Sequence, residues 1–152
     1  HGVVLRDVVF ERGSLANVRM LKGDWRRVRV DATRATGLEL GEAHLVDVTF
    51  DGAKLDYASF RNARLERVSF RNCRLDEADF GGAQLQEASF EHCPLVGASF
   101  SAAKVKDVVL TGCDLEGITG AAGLRGAAMT LGDALANIPV LAAAAGIRLL
   151  DD

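Results

Sequence analysis

Three residue types in the 152-residue chain have positions that invite chemistry. Cys73, Cys93 and Cys113 stand 20 apart, a series that could hold a metal or close a disulfide. A tetrahedral metal site needs ligands converging on one ion. An evenly spaced line of thiols does not converge, and no histidine falls in the series. His44 and His92 could serve as general bases, but no Ser or Cys nucleophile is held beside either by spacing. Ser59, Ser69, Ser89 and Ser99 recur in steps of ten or twenty, as members of a repeat rather than as a lone nucleophile. There is no glycine-rich phosphate loop and no paired-cysteine spacing. The expectation is a non-enzyme with no cofactor and no metal. The cysteines read as reduced, small, buried hydrophobes, which fits a cytoplasmic location.

The elements that place these residues follow a period of five. Every fifth residue from Leu5 to Leu115 is apolar, 23 in succession, and 18 of them are Leu or Phe. At half-apolar composition such a run has a chance of about 10⁻⁷. Two residues before each lies a second series, from Val3 to Cys113, that is small almost throughout, with Leu38 the one large exception. A helix needs a period near 3.6 and a strand a period of 2. Five fits a coil that turns a corner every five residues, with one large and one small side chain inward at each step.

Ala78-Asp79-Phe80 and Cys113-Asp114-Leu115 carry the core of a known consensus: a small residue, Asp or Asn, then Leu or Phe. Other steps place Ser at the middle position, as in Ala58-Ser59-Phe60. Over residues 3–118 the chain resembles the pentapeptide-repeat family. The resemblance implies an all-β solenoid, a right-handed quadrilateral parallel β-helix with four pentapeptides per coil. Twenty-three repeats then make a little under six coils, a rod roughly 27 Å long at the inter-strand spacing.

A coil of 20 residues stacks i on i+20. Leu and Phe alternate strictly from Leu45 to Phe100, so Phe50, Phe70 and Phe90 form one ladder and Phe60, Phe80 and Phe100 the facing one. Leu45, Leu65 and Leu85 stack between them, as do Leu55, Leu75 and Leu95. The cysteines fall in one small inward column. Trp25 beside Gly23, and Ala35 beside Leu38, read as paired volume compensations.

The register ends at Ile118, leaving residues 119–152 as a C-terminal helical cap. Thr130 is the expected N-cap, with Asp133 three residues on. Leu131, Leu135, Ile138, Leu141, Ala142 and Ala145 recur at helical spacing, Gly146 is the stop, and Pro139 kinks or splits the helix. Ile147–Leu150 is expected as a short strand. The helix is to cover the open end of the solenoid. Val140, Ala143 and Ala144 make its far side apolar too, and a helix apolar all round is buried all round. The expected partner is a second copy, with Leu131, Leu135, Ile138, Val140, Leu141 and Ala144 at the dimer interface. The resemblance makes this relevant, because some quinolone-resistance members dimerise through a C-terminal helix.

Eighteen basic residues stand against 21 acidic ones, a net charge of −3, which disfavours a strongly basic nucleic-acid binder. The longest uncharged run, Ala134 to Ile147, is too short to span a bilayer. No membrane partner and no direct nucleic-acid partner are expected. The first residue is His rather than Met, as in a chain trimmed at its start, and no secretory-leader pattern opens it. The Ala-, Gly- and Arg-rich composition hints at a bacterial source. Sorted by face, the most acidic carries Asp56, Asp76, Glu77, Asp114 and Glu116 against Arg34, Lys54 and Arg74, a balance of −2. It is the candidate partner-binding face. The resemblance also implies a second role, mimicry of B-form DNA to bind DNA gyrase or another topoisomerase and protect it from quinolones. A DNA mimic should present sustained negative potential. The leading expectation is therefore a scaffold or protein-binding module.

Overall fold

The computed structural model describes residues 2–152. The inward series coils into a parallel β-solenoid of about six turns. β1 (Val4–Arg6) and β2 (Val9–Glu11) open it. β3 (Asp24–Asp31), β4 (His44–Asp51) and β5 (Arg64–Arg71) each run through two faces. β6 (Gln84–Gln86), β7 (Ser89–Glu91), β8 (Lys104–Lys106) and β9 (Val109–Thr111) complete the two laddered faces. From β1 to β9 the register is twenty. Trp25 pairs Leu45, which pairs Leu65, and Val30 pairs Phe50, which pairs Phe70. The other two faces are joined by isolated bridges of the same offset, such as Arg34 to Lys54 and Ser59 to Asp79.

Four corners per coil are visible in the backbone. Every fifth residue from Asp7 to Gly117 has positive φ, between 46° and 72°. Six of these 23 corner residues are Gly, and Asn or Asp takes six more. Those residue types visit the left-handed region at least cost.

The core is a stack of rings and branched side chains. Phe50 and Phe70 stack with centroids 5.0 Å apart and Phe70 and Phe90 at 4.9 Å, all nearly coplanar. Phe60, Phe80 and Phe100 do the same at 4.9 and 5.1 Å. The two ladders meet edge-on, as at Phe60–Phe70, 5.6 Å and 89°. This is the geometry aromatic quadrupoles prefer. These six rings, with Leu55, Leu65, Leu75 and Leu85, are all buried.

Both expected volume compensations are present. Ala35 and Leu38 are each fully buried, and a Cβ on Gly23 would lie 3.3 Å from Trp25 Nε1. A third compensation was not foreseen. Trp25 reaches across a corner between Phe10 and Phe50, at 6.2 and 6.3 Å, and fills the volume that Val30 leaves in that ladder.

The C-terminal segment differs from expectation in two ways. The chain does not leave the solenoid at Ile118. After a 3-10 turn at Ala121–Leu124, β10 (Ala128–Met129) pairs with β9, Ala128 on Val109 and Met129 on Leu110. That offset is nineteen, one residue short, which hides it from a search at period five. As expected, the helix splits, into α1 (Leu131–Ala136) and α2 (Ile138–Ala144), with Pro139 in the first turn of α2. Finally, Ile147–Leu150 forms no strand. Thr130 and Gly146 act as expected: Thr130 Oγ1 accepts from Asp133 N–H at 3.1 Å, and Gly146 has φ 75°.

Candidate functional site

The cysteine column has a polar task as well as a packing one. The sulfur of Cys73 donates to the Phe50 carbonyl at 3.3 Å, Cys93 to Phe70 at 3.3 Å and Cys113 to Phe90 at 3.4 Å. Thr33 Oγ1, in the same column, reaches the Phe10 carbonyl at 3.4 Å. These carbonyls sit where the coil turns without a turn hydrogen bond of its own. The three thiols are free and buried. Burial pushes the Cys113 thiol up to about 11. The hydrogen bond Cys93 donates to Cys73, together with burial, pushes Cys93 up. At neutral pH Cys93 and Cys113 are therefore unreactive thiols. No cluster of three metal-ligating side chains occurs among the described residues.

The histidines are outward. His44 Nε2 lies 3.3 Å from Glu66 Oε2, and its Nδ1 is 3.5 Å from Arg26 Nη2. The imidazole belongs to a surface charge network. His92 is a corner residue with φ 53°, its ring lying over Gly112. Ser59 Oγ and Ser99 Oγ accept weakly from the N–H two residues on, at 3.4 Å each.

Outward charges are coupled between coils. Arg27 Nε donates to Asp7 at 2.6 Å and Arg67 Nε to Asp47 at 2.7 Å. Arg19–Glu39, Lys22–Glu42 and Arg71–Glu91 also join positions twenty apart. The Arg27 hydrogen bond holds the Asp7 carboxyl below its usual value, and Arg67 does the same for Asp47. On the acidic face, Asp56 pairs with Arg74 at 3.6 Å. Asp76 Oδ1 accepts from Val96 N–H and Asp114 Oδ1 from Glu116 N–H, each at 3.0 Å. Glu77 lies over Gly97. The column through Asp56 and Asp76 is interrupted by Val96 before Glu116. The structure thus brings the five acids onto one side but divides them into two groups.

The C-terminal end is the one place where side chains replace the repeat. In an interior coil, Lys54 N–H donates to the Thr33 carbonyl at 3.0 Å and its carbonyl accepts from Ala35 N–H at 2.8 Å. Four coils on, the equivalent pair is Cys113 and Leu115, and no further coil covers them. Asn137 takes both roles. Its Nδ2 donates to the Cys113 carbonyl at 3.4 Å and its Oδ1 accepts from Leu115 N–H at 3.2 Å. Asp133 Oδ2 likewise accepts from Gly112 N–H at 3.1 Å. Sequence reading missed Asn137. The available signal was a lone amide on the apolar helix, four residues after Asp133.

This placement reverses the helix faces. Val140 packs on the core and Ala144 is half-buried, so the side expected to face outward meets the rod. Leu131, Leu135 and Ile138 are exposed, at 76%, 61% and 44%, and Leu141 is exposed beside them. Of the six residues assigned to an interface, four stay available and two belong to the cap.

A four-sided parallel β-solenoid with a five-residue inward period is a repeat protein. The sequence profile described as "Pentapeptide repeat region" matches residues 3–80, and that described as "Pentapeptide repeats (8 copies)" matches 63–101 and 78–117. The chain belongs to the pentapeptide-repeat family, whose fold is the right-handed quadrilateral β-helix. No curated protein sequence matches it significantly. Among solved structures, it is similar to trypsin-treated QnrB1, a plasmid-mediated fluoroquinolone resistance protein, with 16% identity over 99% of this chain and 100% of that one, TM-score 0.41. The pentapeptide-repeat protein Rfr23 of the cyanobacterium Cyanothece 51142 is 16% identical over 86% of each chain, TM-score 0.43. A pentapeptide-repeat protein of the Arabidopsis thaliana thylakoid lumen is 17% identical over 88% of this chain and 76% of that one, TM-score 0.35. No helix among the described residues is long and apolar enough to cross a membrane.

Proposed function

We propose that the protein is a non-enzymatic, rod-shaped scaffold for protein binding that works as a homodimer joined through its C-terminal helices. The observation that carries this reading is the contrast in exposed chemistry. The sides of the rod are mostly polar, whereas Leu131, Leu135, Ile138 and Leu141 leave an apolar face uncovered at one end. An isologous contact between two such faces removes it from water and doubles the rod. Sedimentation of the full chain at micromolar concentration tests this. A dimer that becomes a folded monomer on combining Leu135→Asp with Ile138→Asp is expected. A wild-type monomer would overturn the self-association.

The acidic side supports a second reading, a DNA mimic directed at gyrase. Asp56, Asp76, Glu77, Asp114 and Glu116 outnumber the bases beside them. The cross-coil ion pairs and the interruption at Val96 argue against it, because a DNA-like potential must be continuous. Supercoiling by purified gyrase, with and without a fluoroquinolone, separates the readings. Inhibition or protection at micromolar protein would favour mimicry. No effect would leave the scaffold.

A further inference from the structure

Resting on the dimer reading, we infer that the terminal segment Ile147–Asp152 of each copy docks in a cleft of the other. The cleft lies between the last coil, the 3-10 turn and α2. It has a volume of about 200 Å³ and is lined by Leu115, Leu124, Met129, Val140 and Leu141, with Arg125 the only charge on its wall. Arg125 has no carboxylate within ion-pair distance among the described residues. None of the described residues fills the cleft.

The same molecule carries a segment of matching chemistry with nothing to pack on. Ile147, Leu149 and Leu150 are 60%, 55% and 80% exposed. Asp151 and Asp152 follow them directly. An apolar stretch ending in carboxylates suits an apolar cleft with an arginine at its wall, by burial for the first part and charge for the second. The cleft on the other side of α2 is lined by Asp114 and Glu116. It would repel the same tail, so charge selects between the two.

The backbone fixes how the tail leaves α2. Ile147 N–H donates to the Ala142 carbonyl at 2.7 Å and Gly146 N–H to the Ala143 carbonyl at 3.0 Å, with Gly146 left-handed. This is a Schellman motif, and it sets the exit direction of residues 147–152. Six extended residues reach about 20 Å. That is ample to pass from one α2 to a cleft bordered by the other, since Leu141 belongs both to the cleft wall and to the exposed apolar face. Each copy then gives a tail and receives one, as two-fold symmetry requires.

The test pairs Arg125→Cys with Asp151→Cys in the full chain. Both positions are exposed, and the native thiols are buried. Mild oxidation with oxidised glutathione should give a disulfide-linked dimer on a non-reducing gel, absent from each single variant. A disulfide confined to monomers would overturn the exchange, as would no disulfide in a sample that sediments as a dimer. A wild-type monomer would instead overturn the dimer reading itself, so the two failures are distinct. A chain ending at Gly146 should dimerise at least tenfold more weakly. Unchanged dimerisation would show that the tail contributes nothing.

Discussion

The middle of the rod and its C-terminal end meet the same physical requirement by different means. Between Leu45 and Phe100 each coil is completed by a copy of itself. Backbone groups pair at an offset of twenty, and each Phe stacks on another Phe. At the end no copy follows. Asn137 and Asp133 supply by side chain what the next backbone would have supplied, and Val140 and Met129 pack on the core where a further coil would lie. Repetition makes the first solution robust and legible. The second hangs on single residues. An interior coil has neighbours on both sides to share a defect, whereas the cap has one amide for two backbone partners.

The largest effect should come from breaking the repeated region at its centre. Phe70 contacts four rings, those of Phe50, Phe60, Phe80 and Phe90, and is fully buried. Phe70→Asp places a carboxylate with no partner inside both ladders, a cost of several kcal/mol, on the order of 5 or more. The variant should lose its β circular dichroism at 25 °C. Unchanged thermal stability would mean that the stacking register described above is wrong.

The next effect belongs to the cap. Asn137→Leu keeps the volume and removes the amide. It leaves the Leu115 N–H and the Cys113 carbonyl without partners, at a cost of about 3 kcal/mol for two shielded groups. Urea denaturation should show a lower midpoint with the slope preserved if cap and rod unfold as one cooperative unit. Asn137→Asp should fall between, since a carboxylate can still accept from Leu115 N–H but has no donor for Cys113. If Asn137→Leu is neutral, the cap is ornamental and the last coil is held by packing alone.

How much of this was legible follows from the same contrast. The ladders of Phe50 and Phe60, the inward cysteines and the stacking offset are written in a period that needs only counting. So is the corner column, although it went unread: the clearest signal was Gly37, Gly52, Gly82, Gly97, Gly112 and Gly117 on one phase of five. The cap is not periodic. β10 escaped because one missing residue moves Met129 off the lattice. The orientation of α2 escaped because Val140 and Leu141 are equally apolar, and only the hydrogen bonds of Asn137 decide which one faces the rod. Trp25 was recognised as oversized, but its relation to Val30 lies across a corner, where neighbours along the chain say little. Leu131, Leu135, Ile138 and Leu141, expected at a dimer interface, are exposed, whereas Val140 and Ala144, expected beside them, turn toward the rod.

A smaller effect compares the two regions through one substitution. Gly52 and Gly146 both have positive φ, 67° and 75°. A Cβ at Gly52 would meet nothing nearer than 3.8 Å, and at Gly146 nothing within 4 Å. Alanine at either site therefore probes backbone strain without a clash, about 1 kcal/mol. Gly52→Ala should lower the midpoint of global unfolding. Gly146→Ala should speed hydrogen exchange at Gly146 and Ile147 N–H, the donors of the Schellman motif, and barely move the midpoint. Equal shifts of the midpoint would show that the tail junction is as integral to the fold as a corner of the rod.

The smallest effect concerns the charges that couple one coil to the next. Asp7 and Asp47 are held below the usual carboxylate value by hydrogen bonds from Arg27 and Arg67. A carboxyl whose folded value is depressed stabilises the fold above its unfolded value, near 3.9, and that contribution fades as pH falls through the folded value. The thermal midpoint should thus be flat in this respect from pH 7 to about 5 and decline below about 4. All four side chains are well exposed, so solvent and salt screen the effect strongly. Combining Arg27→Met with Arg67→Met should lower the neutral-pH midpoint by the small amount these pairs contribute there and leave the midpoint below about pH 3 unchanged, so that the acid decline shrinks by the same amount. An acid profile identical to the wild type would place the acid sensitivity elsewhere.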